Sequence, residues 1–302
     1  MNELFDKLIL RVVFTIFMCL MLLVYKYAHA VFYPSARQQL FKRFYPSKNP
    51  ADTVHLFARI LGIGLIFSEF YFHLSDGFFF AMFDFFLKAI LACVFYLLSI
   101  YIIEAIVLFD FEYNDEIVKK KNMSYALVCF THALCMAYLT KTILTISQDS
   151  QLFMFFLWLF VMVLMGFATK TFKIISKVNL NASIVQKNNA GAFSYMGFFA
   201  GWTIIISSGI SNEVFNLKEY IVLVILKILL SIILFPIFTY GLKLIFKLQD
   251  DVEKRSGEDS YYDTGKIEAS YGLSEGLTFF TCCFLTTVTT GQINFGTFYP
   301  VF

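Results

Sequence analysis

Ile184-Val185-Gln186-Lys187-Asn188-Asn189-Ala190-Gly191-Ala192 is a short polar hinge that runs straight into a new apolar helix, and versions of it occur four times. Asn122-Met123-Ser124-Tyr125-Ala126-Leu127 is an earlier version, matched almost letter for letter by Glu268-Ala269-Ser270-Tyr271-Gly272-Leu273. Lys48-Asn49-Pro50-Ala51 is the first. The lead residues Asn49, Asn122, Asn188 and Glu268 stand 73, 66 and 80 residues apart. A period of this kind sets the architecture before any single element is assigned. Each step has room for two membrane-crossing helices and a connection, since about 20 apolar residues span the hydrocarbon core. The chain reads as four helical hairpins in two tandem halves.

Composition agrees. The 302 residues are 59% hydrophobic and 15% charged, with mean hydropathy +0.70, where globular chains carry about 25% charge. The apolar residues form continuous blocks, which excludes an alternating β-barrel pattern. A net charge of +2 and no basic run longer than three residues predict no nucleic-acid partner. All six cysteines fall inside apolar blocks and read as small hydrophobes, not as a disulfide framework. The 39 phenylalanines read as lipid-facing and helix-packing bulk.

The expected fold is an all-α membrane protein of eight transmembrane helices, built as two tandem parallel four-helix repeats over residues 1–149 and 150–302. The first repeat holds helices at about 8–32, 51–72, 78–109 and 123–146; the second holds them at about 152–175, 190–210, 220–246 and 269–290. Asn49-Pro50 is an N-cap followed by a first-turn proline, and Pro236 predicts a kink. The linkers after the odd helices, with their flanks, carry 16 of the 24 Lys and Arg. The positive-inside rule places these four hinges in the cytoplasm and both termini outside it. Because each repeat has an even number of helices, the two halves share one orientation, related by an axis along the membrane normal. Small residues recur thirteen positions past each lead residue, at Gly62, Cys135, Gly201 and Thr281. They place the even helices at the centre, where backbones approach closely.

The hinge pattern resembles that of the YjfL-type bacterial inner-membrane family, a domain of unknown function found singly or in tandem. Its members show an Ile-x-x-x-Asn hinge, then Ala and Gly, then a helix with a further small residue. Ile184, Asn188, Ala190, Gly191 and Gly201 follow that pattern, as do Asn49, Pro50, Ala51 and Gly62. Asn122 follows it with Val118 in place of Ile. The last hinge departs from it, since Glu268 stands where Asn belongs. The resemblance implies a bacterial inner-membrane location, a repeated architecture and an association with envelope-stress and membrane-maintenance genes. It brings no reaction.

Ionisable groups inside spanning segments are costly and are functional candidates by default. Asp84 and Lys88, at i and i+4, read as a structural pair, and Lys141 and Lys227 as side chains that snorkel to the outer interface. Arg59, Glu104, His132 and Glu275 remain as the candidate intramembrane polar site. Arg59 and Glu104 lie at similar depth, so they are expected to form a buried ion pair. The alternative reading is a proton or ion relay, with His132 and Glu275 as its secondary members. His132 shares a helix face with Cys129 and Cys135, but a structural zinc site needs four ligands and no partner pair is evident. The sequence therefore assigns no metal, no cofactor and no catalytic residue, and no hydrolase elbow, phosphate loop or dinucleotide fingerprint is present.

Two functional readings remain. One is a non-enzymatic membrane scaffold, resting in the lipid bilayer or forming homo-oligomers, with residues 248–266 as a docking segment for a cytosolic protein. The other is a small-solute or ion transporter with a pathway between the repeats, the Asn hinges offering helix N-termini to an anion.

Overall fold

A computed structural model describes residues 2–42, 44–70, 78–147, 150–212, 217–248 and 268–291. The segment 248–266 falls outside these almost entirely. Eight long helices follow in order: α1 (Asn2–Phe32), α2 (Pro50–Phe67), α3 (Phe78–Val107), α4 (Met123–Ser147), α5 (Gln151–Ile175), α6 (Asn189–Ile210), α7 (Leu217–Ile245) and α8 (Ala269–Gly291). No strand occurs among the described residues. Helices α1 to α7 are long and apolar enough to cross a membrane. Eight such helices were expected. Helix α8 has the length, at 23 residues, but its many threonines, glycines and serines leave it less apolar. The protein is a multipass helical membrane protein.

Helix α2 ends at Phe67, earlier than its apolar run suggests. The chain turns there because Ser68 and Glu69 meet polar groups of α4. Lys141 Nζ reaches Ser68 Oγ at 3.0 Å and Glu69 at 3.4 Å, and Thr145 donates to Glu69 at 2.9 Å. Lys227 donates to Asn212 Oδ1 at 2.6 Å, and Lys88 pairs with Asp84 at 2.7 Å. These outlying charges thus all find local partners.

The even helices form the centre. In their most apolar stretches 61% of α4 and 67% of α6 is buried, against 17% of α1 and 22% of α7. Each even helix packs on the next, α2 on α4, α4 on α6 and α6 on α8. The last contact is backbone on backbone. A Cβ added to Gly197 would lie 1.9 Å from the Gly276 carbonyl oxygen, and one on Gly272 would lie 2.0 Å from that of Ala190. At the thirteenth positions Gly62 abuts the Tyr96 hydroxyl and Gly201 abuts Cys283. Thr281 is exposed instead. On α8 the close approach has moved one to two turns back, to Gly272 and Gly276.

The second and third hinges share a local structure. A short helix (Asn114–Lys119 or Leu180–Val185) is followed by a lysine with positive φ, Lys121 at 51° or Lys187 at 55°. That left-handed residue reverses the chain, so that Asn122 N bonds Glu116 O and Asn188 N bonds Ser183 O, each at 2.8 Å. This is the left-handed C-cap geometry usual for glycine. The following asparagine then starts the next helix. Asn49 Oδ1 accepts from Asp52 N at 3.2 Å, Asn122 Oδ1 from Ser124 N at 3.1 Å, and Asn188 Oδ1 from Ala190 N at 3.0 Å. The Glu268 side chain accepts from the Ser270 hydroxyl at 3.2 Å.

Gly197→Val should drive α6 and α8 apart. We expect a loss of at least about 2–3 kcal/mol in detergent unfolding, the usual scale for overpacking. Gly64→Ala, with nothing within 4 Å of the added carbon, should leave the transition unchanged.

Candidate functional site

The largest buried polar cluster lies in the first half, toward its hinge end. Arg59 on α2 and Glu104 on α3 form an ion pair of 2.6 Å, with side chains only 2% and 9% exposed. Burying two charges is costly unless their remaining donors and acceptors are also satisfied, and here they are. Arg59 Nη1 donates to the His55 carbonyl at 2.9 Å. Nη2 donates to the Tyr33 hydroxyl at 3.0 Å, which itself donates to Glu104 Oε2 at 2.9 Å. The guanidinium also lies 5.5 Å from the centroid of the Tyr33 ring, a favourable cation–π distance.

Aromatic and imidazole rings wall this triangle. His55 packs against Tyr33, Tyr113 and His29, with centroids 5.1, 4.9 and 5.7 Å away. Tyr25 and His29 share a hydrogen bond of 3.1 Å. The Tyr113 hydroxyl donates to Asp52 Oδ1 at 2.7 Å. Burial, with the Asp52 carboxylate beside it, pushes the Tyr113 phenol far above its ordinary range, so it stays a donor. A cavity of about 20 Å³ lies among Tyr25, His29, Tyr33 and Arg59, room for a single water. His55 is the exception. It is fully buried, and both its ring nitrogens lack a hydrogen-bond partner.

Of the four candidates read from the sequence, the fold brings only Arg59 and Glu104 together. His132 lies between the halves, where Nε2 meets the Tyr195 hydroxyl of α6 at 2.8 Å and the ring packs on Phe199. Glu275 belongs to the second half. It accepts from Ser176 Oγ at 2.8 Å, from the Lys177 amide at 3.1 Å and from Ser194 Oγ. It therefore anchors the loop after α5 to α8.

The two halves use matching positions. His55 and Ser194 are both six residues past the hinge residues Asn49 and Asn188, while Cys129 and Glu275 are seven past Asn122 and Glu268. Ser194 touches Glu275, and His55 lies beside Cys129. The second half thus has a small hydroxyl–carboxylate contact where the first has imidazole and thiol.

Sequence reasoning missed Tyr25, His29 and Tyr33 on and just after α1, and His55 and Asp52 on α2. A signal was present. Tyr25, His29 and Tyr33 recur every four residues at the end of an otherwise apolar helix, and such residues share one face. His55 lies one turn before Arg59.

The hinges form a second polar system at the same end. Asn49 Nδ2 donates to the Ile117 carbonyl at 2.8 Å, reaching the second hinge. Asn122 Nδ2 donates to Ile184 O at 2.7 Å in the third hinge, and to Glu116 Oε2 at 2.7 Å in its own. Ser124 Oγ adds a bond to Asn188 O at 3.0 Å, and Lys187 Nζ one to Lys120 O at 3.0 Å. Asn49 and Asn122 each cap their own helix and also hold the next hinge.

Arg59→Ala and Glu104→Gln should each lower stability by about 3–5 kcal/mol by stranding the other charge. The apolar pair Arg59→Met with Glu104→Leu should recover most of that loss. A reversible unfolding titration in mixed micelles, run as a double-mutant cycle, measures both.

Residues 3–144 and 145–282 each match one family, described as Domain of Unknown Function (DUF350). No curated protein and no solved structure matches the chain. The chain belongs to this family, as two tandem copies.

Proposed function

We propose, from membership of a family without an assigned reaction, that this protein is a non-enzymatic membrane scaffold of the bacterial inner membrane. In this reading the kinship is of the YjfL type and the role lies in envelope stress or membrane maintenance. All eight helices cross the bilayer, α8 packing one face closely on α6 and turning Leu273, Leu277, Phe284 and Val288 outward. The lysine-rich hinges face the cytoplasm and both termini lie on the opposite side.

The observation that carries the reading is the chain of bonds from hinge to hinge. Asn49 to Ile117 O and Asn122 to Ile184 O tie three linkers into one platform. Such bonds fix where the connecting segments emerge, which a docking surface requires and a rocking transporter does not. They also occupy the asparagine amides and cap the helix N-termini that an anion would need. The buried Arg59–Glu104 triangle is closed by its own tyrosine, as expected of a structural pair.

The platform would present residues 248–266 to a cytosolic protein. Full-length protein captured in native-lipid particles should retain a stoichiometric cytosolic partner. Replacing 248–266 by a neutral linker of equal length should remove it from the mass spectrum. An identical set of captured proteins before and after the replacement would defeat the reading. Asn122→Ala should loosen the platform as well, raising protease cleavage in the second and third hinges several-fold with the helices still folded.

A further inference from the structure

We infer that His55, Glu104 and Cys129 form a binding site for one divalent transition-metal ion of the zinc class, buried inside the first half.

Three helices each supply one donor: His55 from α2, Glu104 from α3 and Cys129 from α4. A ring nitrogen, a carboxylate oxygen and the thiol sulfur all lie within 4.8 Å of one another. Zinc bonds of roughly 2.0–2.3 Å put tetrahedral ligand atoms about 3.3–3.8 Å apart. The donors therefore need to close by about 1.0–1.5 Å at most, a shift that side-chain rotation supplies. All three residues are buried, with Cys129 and His55 fully enclosed.

The independent sign is His55 itself. An imidazole shut away from water with neither nitrogen bonded loses hydrogen bonds that it would make in solvent. A metal ion on one nitrogen supplies the missing interaction. His29, whose ring is 5.7 Å from that of His55, is the neighbouring imidazole that suits a fourth position.

The charges are compatible. Glu104 has two oxygens, and Arg59 holds Oε1 at 2.6 Å. Oε2 accepts from the Tyr33 hydroxyl at 2.9 Å and keeps a second lone pair for the ion, with Arg59 and Tyr33 remaining as the outer partners that orient the carboxylate. Buried Asp52 and Glu104 formally outnumber Arg59 by one negative charge. When the ion binds, the Cys129 thiol releases its proton to solvent as the sulfur–metal bond forms. A divalent ion with one thiolate then brings the cluster to neutrality, the state a low-dielectric interior favours. Thiolate and imidazole donors suit zinc and its neighbours better than magnesium or calcium. In the second half the matching residues are Ser194 and Glu275, so a single site per chain is expected.

Full-length protein in detergent, stripped with a chelator, is titrated with Co²⁺ as a coloured probe and then with Zn²⁺. The site predicts one Co²⁺ per chain, a thiolate-to-cobalt absorption band, and displacement of that band by one Zn²⁺. Cys129→Ser should abolish the band, and His55→Ala should weaken binding at least tenfold. Cys135→Ser, two turns away on the same helix, should leave both unchanged. No stoichiometric band, or a band that survives Cys129→Ser, would overturn the site. If the Cys129 variant fails to fold, X-ray absorption on the Zn²⁺-loaded wild-type protein decides. One sulfur in the zinc shell supports the assignment, and a shell of nitrogen and oxygen alone refutes it.

Discussion

The side-chain amide of Asn122 is the joint on which the two halves depend. It is fully buried, caps α4 through Oδ1, and donates through Nδ2 to its own hinge and to the Ile184 carbonyl of the next. Carboxamide is well suited to this place because it offers an acceptor and two donors from one neutral group. A charged carboxylate could cap the helix but could not donate to a carbonyl. Glu268, in the last hinge, has that limitation, and its side chain accepts from the Ser270 hydroxyl. Across the first three hinges the row therefore has a direction: Asn49 holds the second hinge and Asn122 the third.

Fixing the hinges fixes the helices that start there. With their first turns tied together, α2, α4, α6 and α8 run side by side, and the spacing along the row is set by small residues. Helices in lipid gain little from hydrophobic association, so close backbone contact is a principal source of attraction. Gly197 against Gly276 and Gly272 against Ala190 provide it between α6 and α8. The odd helices are secured by large side chains instead. Phe14 and Phe17 of α1 lie among Phe67 of α2 and Phe85 of α3, with Phe17 and Phe85 centroids 5.0 Å apart. Trp158 of α5 stacks on Phe95 of α3 and donates to Ser99 at 2.7 Å.

The duplicated halves have diverged in their interiors while keeping their frame. The first half holds a cluster of the buried Arg59–Glu104 ion pair with His29, His55 and Cys129. Its counterpart holds Tyr195, Phe198, Ser194 and Glu275. A polar cluster inside a membrane domain must be satisfied by its own chain, which makes it expensive to keep. One copy has it and the other is packed with rings, Phe172, Tyr195, Phe198 and Phe279, whose neighbouring centroids lie 5.2 to 5.6 Å apart. Duplication supplied a frame that both halves share, and only one half carries the cost of the charged interior.

The sequence alone determined the frame, because the information is periodic and local. Continuous apolar blocks demand helices, asparagine before a small-residue helix demands a cap, and repeated spacing demands repeated hairpins. Depth along a helix is also legible, which is why Arg59 and Glu104 could be expected to meet. Azimuth across helices is not. Cys129, three residues before His132, reads as sharing a face with it. In the fold the two diverge, His132 toward Tyr195 between the halves and Cys129 toward His55 and Glu104 within one. Which way a residue turns depends on the rotation of each helix about its axis, and that is set by close contacts summed over several neighbours. For the same reason Tyr33, His29 and His55 gather around Arg59 only in the assembled bundle, and the amides of Asn49 and Asn122 find the next hinge only there. Local pattern decided what the elements are; packing decided which side chains share an interior.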